Sequence, residues 1–431
     1  MKQRPRFFYG WTIIAVAFVI MAVGYALRNS FSVFYPTIVE RFGWGRADTA
    51  LMFSITMFIY GILSPVAGRL VDRLEPRLVL SVGACIMGGG MALCSLATSQ
   101  WQFYLFYGIM VAVGLSMIGI APLSAIVSNW FVTKRGLVFG ILSAGFGASL
   151  ISAPIAQFLI STFGWQSAYV IIGLLSILLI VPLCILFIRR SPREKGLLPD
   201  GLLQASFEPR TAHEYHGTVN FGGKWASSTW TLAQAVKSYH FWLLFLIFFS
   251  AMGLGETTTI THQVYFFRDV GYEPMRAATI YGVFGLAFVV GNFCSYFSDL
   301  LGREKIFIPG SLLSAGAVSL LFLITDTTQA WMPFLFAVSL GLGWGAAAPV
   351  LLATVADLFQ GRNFGSIMGC LILGFSLGGA IAPWLAGFLH DRTGDYFLVF
   401  LILLGCFGTS ALLMWLIAPR KIRPVPLQPQ Y

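Results

Sequence analysis

Three ionisable side chains fall deep inside apolar stretches of this chain: Arg28, Glu256 and His262. A charge at the centre of a bilayer costs roughly 2.5–3.5 kcal/mol on insertion scales, so each is first a functional hypothesis. Arg28 carries a permanent positive charge on a planar fork that matches two carboxylate oxygens. Glu256 is a carboxyl that takes up and releases a proton, and His262 is a second acid–base group. Together they suit the binding of an anion along with a proton. The plainer alternatives are an ion pair from Arg28 to Glu256 and a hydrogen-bonded histidine near a helix end.

The elements that position these groups are membrane helices. Hydrophobic residues make up 57% of the chain, charged residues 10%, and the mean hydropathy is +0.80. A soluble domain carries about 25% charged residues. A span needs about 20 mostly apolar residues, and twelve such stretches are present: 11–35, 49–70, 78–98, 103–127, 137–160, 168–187, 241–266, 277–298, 306–324, 333–356, 366–388 and 397–417. The first is too long for a cleaved signal peptide and lacks a small-residue cleavage site. The expected fold is an all-α membrane protein of two pseudo-symmetric six-helix bundles, residues 1–187 and 239–431, joined by a cytoplasmic linker at 188–238. The end of that linker reads as a short interfacial helix with Thr229 as N-cap.

The two bundles are one half built twice. Asp72 and Asp299 close hydrophobic helices before short basic loops, 227 residues apart. Trp11 recurs at Trp242, Gly140 at Gly369, Gly145 at Gly374, Pro154 at Pro383 and Asn129 at Asp357, all at nearly the same offset. Such a repeat in a membrane protein marks a carrier whose halves rock around a site between them. Pro154 and Pro383 are expected to bend helices 5 and 11 at matching points.

Charge sets orientation. With both termini in the cytoplasm, 21 of the 27 lysines and arginines fall on the inner side, and the outer loops hold only Arg41, Arg46, Arg268, Arg276 and Arg392. The net charge of +10 is therefore a topology signal. No basic face on a soluble domain exists to bind nucleic acid. The six cysteines all lie in spans and read as packing residues. His213 and His216 in the linker have no cysteine partner and read as solvated rather than metal-binding.

Twelve spans, the repeat, and the loops Gly68–Arg77 and Ser298–Lys305 resemble the major facilitator superfamily. Trp130–Gly145 resembles the signature of its monocarboxylate transporter and oxalate–formate exchanger branch, and Tyr9-Gly10-Trp11 the tail of that branch's other signature, without its leading acidic residue. Carriers of this branch place a lysine in helix 1 and an Asp/Arg pair in helix 8. Here the lysine position holds Asn29, beside Arg28, and the helix 8 positions hold Ala287 and Gly291. Helix 11 lacks the lysine of an oxalate–formate exchanger. The resemblance implies a cytoplasmic gate formed by Asp72, Arg73, Asp299 and Arg303.

Depth brings the three buried groups together. Arg28 is 17 residues beyond Trp11, while Glu256 and His262 are 14 and 20 beyond Trp242. At about 1.5 Å per residue, Arg28 lies between the other two in depth. Thr257, Thr258, Thr259 and Thr261 make this part of helix 7 polar, so it is expected to line water or substrate. The resulting expectation is a secondary transporter that moves a small organic anion, a monocarboxylate foremost, with a proton. Arg28, with Asn29, would take the carboxylate, Glu256 the proton, and His262 would relay. Glu256 would neutralise Arg28 in the empty carrier. Tyr25, Tyr60, Tyr281, Phe284 and Trp344 would form the walls. No cofactor is expected, and the carrier is expected to work as a monomer in the plasma membrane. Rival readings are an exporter of amphiphilic cations using Glu256, an anion exchanger, and a sensor or membrane enzyme. Against the last, no nucleotide loop, metal cluster or nucleophile motif is present.

Overall fold

The computed structural model describes residues 8–131, 135–197, 230–359 and 364–419. Among these, all regular structure is helical. Eleven stretches are long and apolar enough to cross a bilayer, and one of them, Gly140–Phe187, runs for 48 residues. Gly164 divides it with φ 79° and ψ 160°, a conformation open to glycine alone. The spans therefore number twelve: α1 (Gly10–Phe42), α2 (Arg46–Arg73), α3 (Pro76–Leu96), α4 (100–130), α5 (135–163), α6 (165–187), α7 (Tyr239–Asp269), α8 (Pro274–Cys294), α9 (Arg303–Leu321), α10 (Met332–Leu358), α11 (Phe364–Thr393) and α12 (Phe397–Ile417).

Local chemistry sets the boundaries. Pro76 and Pro274 open α3 and α8, where a missing N–H costs nothing. Ser99 and Gln102 form a capping box at the start of α4. Gly43 ends α1 in the left-handed region, φ 66°. Several helices outrun their apolar stretches. α1 continues past 35 to Phe42, α7 past 266 to Asp269, and α11 past 388 to Thr393. The apolar run marks only the hydrocarbon depth, and charged residues carry these helices further.

The side that holds residues 188–197 and 230–238 is called the linker end, and the opposite side the distal end. Pro192–Lys195 form a 3-10 turn, and Leu232–Lys237 a short helix. Its N-cap is Thr231, in a capping box with Gln234, rather than Thr229, which lies outside the described residues together with His213 and His216. The repeated prolines act differently: α5 is interrupted by a turn at 151–152, just before Pro154, whereas α11 is continuous through Pro383.

The lipid-facing surface is apolar, with side chains such as Leu178, Phe293 and Leu401 exposed. Between the halves, α2 lies on α11 and α5 on α8 at backbone distance. A Cβ at Gly61 would strike Ser376 of α11, and one at Gly285 would strike Leu150 of α5. Small residues are what allow such approach without a hydrophobic drive between helices. Toward the linker end, a Cβ at Gly68, Gly140 or Gly369 would meet nothing within 4 Å.

Candidate functional site

Arg28 sits in the middle of α1 with only 2% of its surface exposed. Its Nε donates to Asn29 Oδ1 at 3.1 Å, and its Nη1 to the thioether of Met57 at 3.6 Å. Nη2 has no hydrogen-bond acceptor among the described residues. The guanidinium carbon lies 5.0 Å from the Tyr25 ring centre, 5.4 Å from Phe53 and 5.5 Å from Phe146. These ring faces offset part of the cost of holding a cation away from water. Asn29 does not point at open space: its amide nitrogen donates to Ser149 Oγ at 2.8 Å. It thus ties Arg28 to α5, as a positioning residue. Tyr107 anchors the same turn by donating to the Arg28 carbonyl at 2.5 Å.

Glu256 is also buried, at 6% exposure. It closes a wide-turn segment, Phe248–Glu256, in which hydrogen bonds span five residues rather than four. Such segments recur at functional sites because they re-aim a side chain within an otherwise regular helix. Glu256 Oε2 accepts from the indole Nε1 of Trp344 at 3.0 Å. Trp344 is therefore a polar partner as well as a wall. The expected neutralising pair is absent: none of the ion pairs among the described residues joins Arg28 to Glu256. Each charge has its own neutral partners, although the field of Arg28 reaches the Glu256 carboxyl.

The other walls divide. Tyr25 and Tyr60 join hydroxyl to hydroxyl at 2.9 Å beside Arg28. Phe284 packs instead with Tyr281 and Phe288, at 6.2 Å from each. Of the four threonines of α7, three bond back into their own helix, and Thr257 does so to the Met252 carbonyl at 3.4 Å. Thr259 and Thr261 donate at 2.9 Å to the carbonyls of Gly255 and Thr257 in their own helix, and all four are buried. Back-bonding of this kind satisfies a threonine without water.

His262 belongs to another assembly, at the distal end. Its Nε2 lies 2.9 Å from the Pro383 carbonyl and so carries the proton, while Nδ1 lies 3.2 Å from the Tyr396 hydroxyl. Tyr396 accepts from Arg46 Nη1 at 3.1 Å. Arg46, at the start of α2, forms a two-pronged pair with Asp269 at the end of α7, its second prong at 3.0 Å. Arg268 of α7 clasps Glu40 of α1 at 2.9 and 3.1 Å. Asp391 of α11 accepts from the backbone N–H groups of Arg46 and Ala47 at 3.2 and 2.9 Å, capping α2 from the other half. The bonds of Arg46, Arg268 and Asp391 cross between the halves, whereas those of His262 stay within the second half.

At the linker end, Arg303 is engaged within its own half, donating to Asp357 at 2.8 Å and to Ser298 at 2.7 Å. The side chains of Asp72, Arg73 and Asp299 lie outside the described residues. No group of residues able to hold a metal ion occurs among the described residues.

A paired-bundle fold with a buried cation in one half and a buried acid in the other invites comparison. The family model of the Major Facilitator Superfamily matches residues 14–351 and 292–430.

The chain belongs to the major facilitator superfamily.

Within that superfamily it is similar to monocarboxylate transporter 11 of Mus musculus, 28% identical over 91% of this chain and 84% of the relative. It is similar to monocarboxylate transporter 2 of Mesocricetus auratus at 25%, over 90% and 79%. An uncharacterized MFS-type transporter of Bacillus subtilis, YcxA, is 23% identical over 96% of both chains. The fold of this chain matches the crystal structure of a bacterial homolog of the human lysosomal transporter Spinster, with a TM-score of 0.64 at 17% identity, covering 98% of this chain and 100% of that one. The protein is an integral, multi-pass membrane transporter related to monocarboxylate transporters, and not an enzyme.

Sequence reasoning missed the residues that build the distal assembly. Arg46 and Arg268 entered it only as loop charges that report topology. The available signal was weak: Glu40, Arg46, Asp269 and Asp391 all stand just past an apolar run, beside a helix end.

Proposed function

We propose that this transporter carries a small monocarboxylate together with a proton, by alternating access. The observation that supports this most is Arg28: a buried guanidinium with no carboxylate partner and a free Nη2. Leaving a charge unpaired in a low-dielectric interior is strongly unfavourable unless an incoming ion completes it. A substrate carboxylate would exchange the weak thioether contact at Nη1 for an oxygen and take Nη2 with the other. The side-on face of the fork, through Nε, is already held by Asn29, so the anion would approach end-on.

Glu256 is the proton site in this reading. Ionised, it would oppose an anion at Arg28 and hold the cation's field to itself. Protonated, it would leave Arg28 to the substrate. Anion and proton would then cross together without net charge. His262 is better suited to the distal seal than to a relay toward Glu256. We further take the linker end as cytoplasmic and the distal end as the outer face of the plasma membrane, with both termini inside and the monomer as the working unit. The cation-exporter reading fares worse, because Arg28 would repel its substrate.

Purified protein in proteoliposomes with an imposed pH gradient tests the reading. Radiolabelled monocarboxylates should accumulate on the alkaline side. Movement of lipophilic cations alone would overturn it. Outside labelling of a cysteine introduced at Ser228 would overturn the orientation.

A further inference from the structure

We propose that the Tyr281 hydroxyl is a direct ligand of the transported anion, donating to the carboxylate that Arg28 holds. Tyr281 is completely buried, and its Oη has no hydrogen-bond partner among the described residues. A buried hydroxyl without a partner is destabilising, whereas a phenylalanine of the same shape would not be. The surrounding face of α8 makes the contrast plain, since Phe284 and Phe288 occupy the neighbouring turns.

Position relates this hydroxyl to Arg28. Asn29, which holds Arg28, is bonded to Ser149 of α5. One turn further along α5, Pro154 and the Ile151 carbonyl lie against Gly282, with a Cβ there 3.3 and 3.7 Å away. Tyr281 and Arg28 therefore flank the same stretch of α5 from opposite halves. The charged side chains whose fields reach the Tyr281 hydroxyl are Arg28 and Glu256. Two other orphaned amides are placed differently. The Gln263 amide borders a small cavity inside the second half, among Phe336, Phe400 and Leu403. Asn292 lies three turns closer to the linker end than Tyr281.

Stoichiometry of donors completes the argument. A carboxylate accepts about four hydrogen bonds. The end-on face of Arg28 supplies Nη1 and Nη2, and Glu256 must be protonated to contribute anything. A neutral donor from the opposite half adds a bond without adding charge. It also makes the substrate bridge α1 and α8, so that binding draws the halves together. Because the hydroxyl needs an acceptor oxygen at a set place, it favours a carboxylate over its amide, which offers one acceptor fewer.

The inference rests on the anion site proposed at Arg28, and the test separates the two. Wild type and Tyr281→Phe are purified in detergent and screened by thermal shift against acetate, propionate and benzoate. The acid that stabilises wild type most is then titrated into both proteins. Without ligand, Tyr281→Phe should melt at the same temperature as wild type or higher, because its hydroxyl serves no protein contact. Its affinity for the acid should fall roughly tenfold or more, as for a lost bond to a charged group. The matching amide should bind wild type and variant alike, and weakly. Equal affinity in the two proteins would overturn the assignment, as would a lower melting temperature of the variant with binding intact, which would make the hydroxyl structural. If none of the acids shifts wild type, the anion site itself fails, and the role of Tyr281 with it.

Discussion

Neutralising Asp269 should open the distal end. Arg46 and Asp269 make a two-pronged pair across the halves, with side chains 15% and 33% exposed. Fully exposed pairs contribute about 0–1 kcal/mol, and hydrogen bonds to buried charges about 1.5–3 kcal/mol. Partial burial places this pair between those limits, at roughly 1.5 kcal/mol after allowing for solvent screening. One tenfold change in a population corresponds to about 1.4 kcal/mol. Asp269→Asn keeps the shape and removes the charge, so the ratio of distally open to distally closed protein should rise about tenfold. Spin labels at Arg41 and Arg392, both exposed at distal helix ends on opposite halves, report it by pulsed electron–electron resonance in nanodiscs. The exposed Cys85 and Cys294 are first replaced by alanine. A longer-distance population should grow in the variant. Arg46→Ala should add little once Asp269 is neutral, since contacting residues couple. An unchanged distance distribution, or fully additive effects of the two substitutions, would refute the idea that this pair holds the end closed.

Three further outcomes follow from the site. Arg28→Lys keeps the charge but loses the planar end-on fork, so affinity should fall while folding is retained, and Arg28→Ala should abolish uptake; wild-type affinity in a well-folded Arg28→Ala protein would remove the residue from the site. Glu256→Gln mimics the protonated carboxyl: it should exchange substrate across proteoliposome membranes yet fail to accumulate it. Linkage sets the sign for wild type, where substrate affinity should increase as pH falls, and this dependence should be nearly flat in the variant; accumulation surviving in Glu256→Gln would move coupling elsewhere. Gly378→Ala should destabilise the protein by roughly 1–3 kcal/mol through overpacking, because its Cβ would strike the Phe249 carbonyl, whereas Gly369→Ala should be neutral in a thermal melt because open space faces it; equal melting temperatures would contradict the packing.

The spans and the repeat were legible because the bilayer imposes a one-dimensional demand. A run of apolar residues long enough to cross must be a helix, whatever lies beside it. The same logic marked Arg28 and Glu256, since a charge within such a run stands out without any knowledge of neighbours. Whether those two charges touch was not legible. Asn29 turned out to hold Arg28, and Trp344 to hold Glu256, because each side chain takes the nearest group that helix packing brings to it. His262 shows the same limit. Its spacing turns it about a third of a turn away from the Glu256 face, but only the packing of α7 on α11 and α12 shows that it meets Pro383 and Tyr396.

The distal seal is the clearest case of information held only in three dimensions. Arg46 and Asp269 are 223 residues apart in the chain, and each is an ordinary charge at a helix end. Nothing in their local sequence distinguishes a topology signal from a latch. What makes them a latch is the approach of α2 to α7 and α11, permitted by glycines such as Gly61 and Gly387 that bring backbones together. Composition and periodicity settle which segments cross the membrane, because that depends on each segment and its solvent. Partnership depends on the angle and separation of pairs of helices, and those emerge only when all twelve are packed.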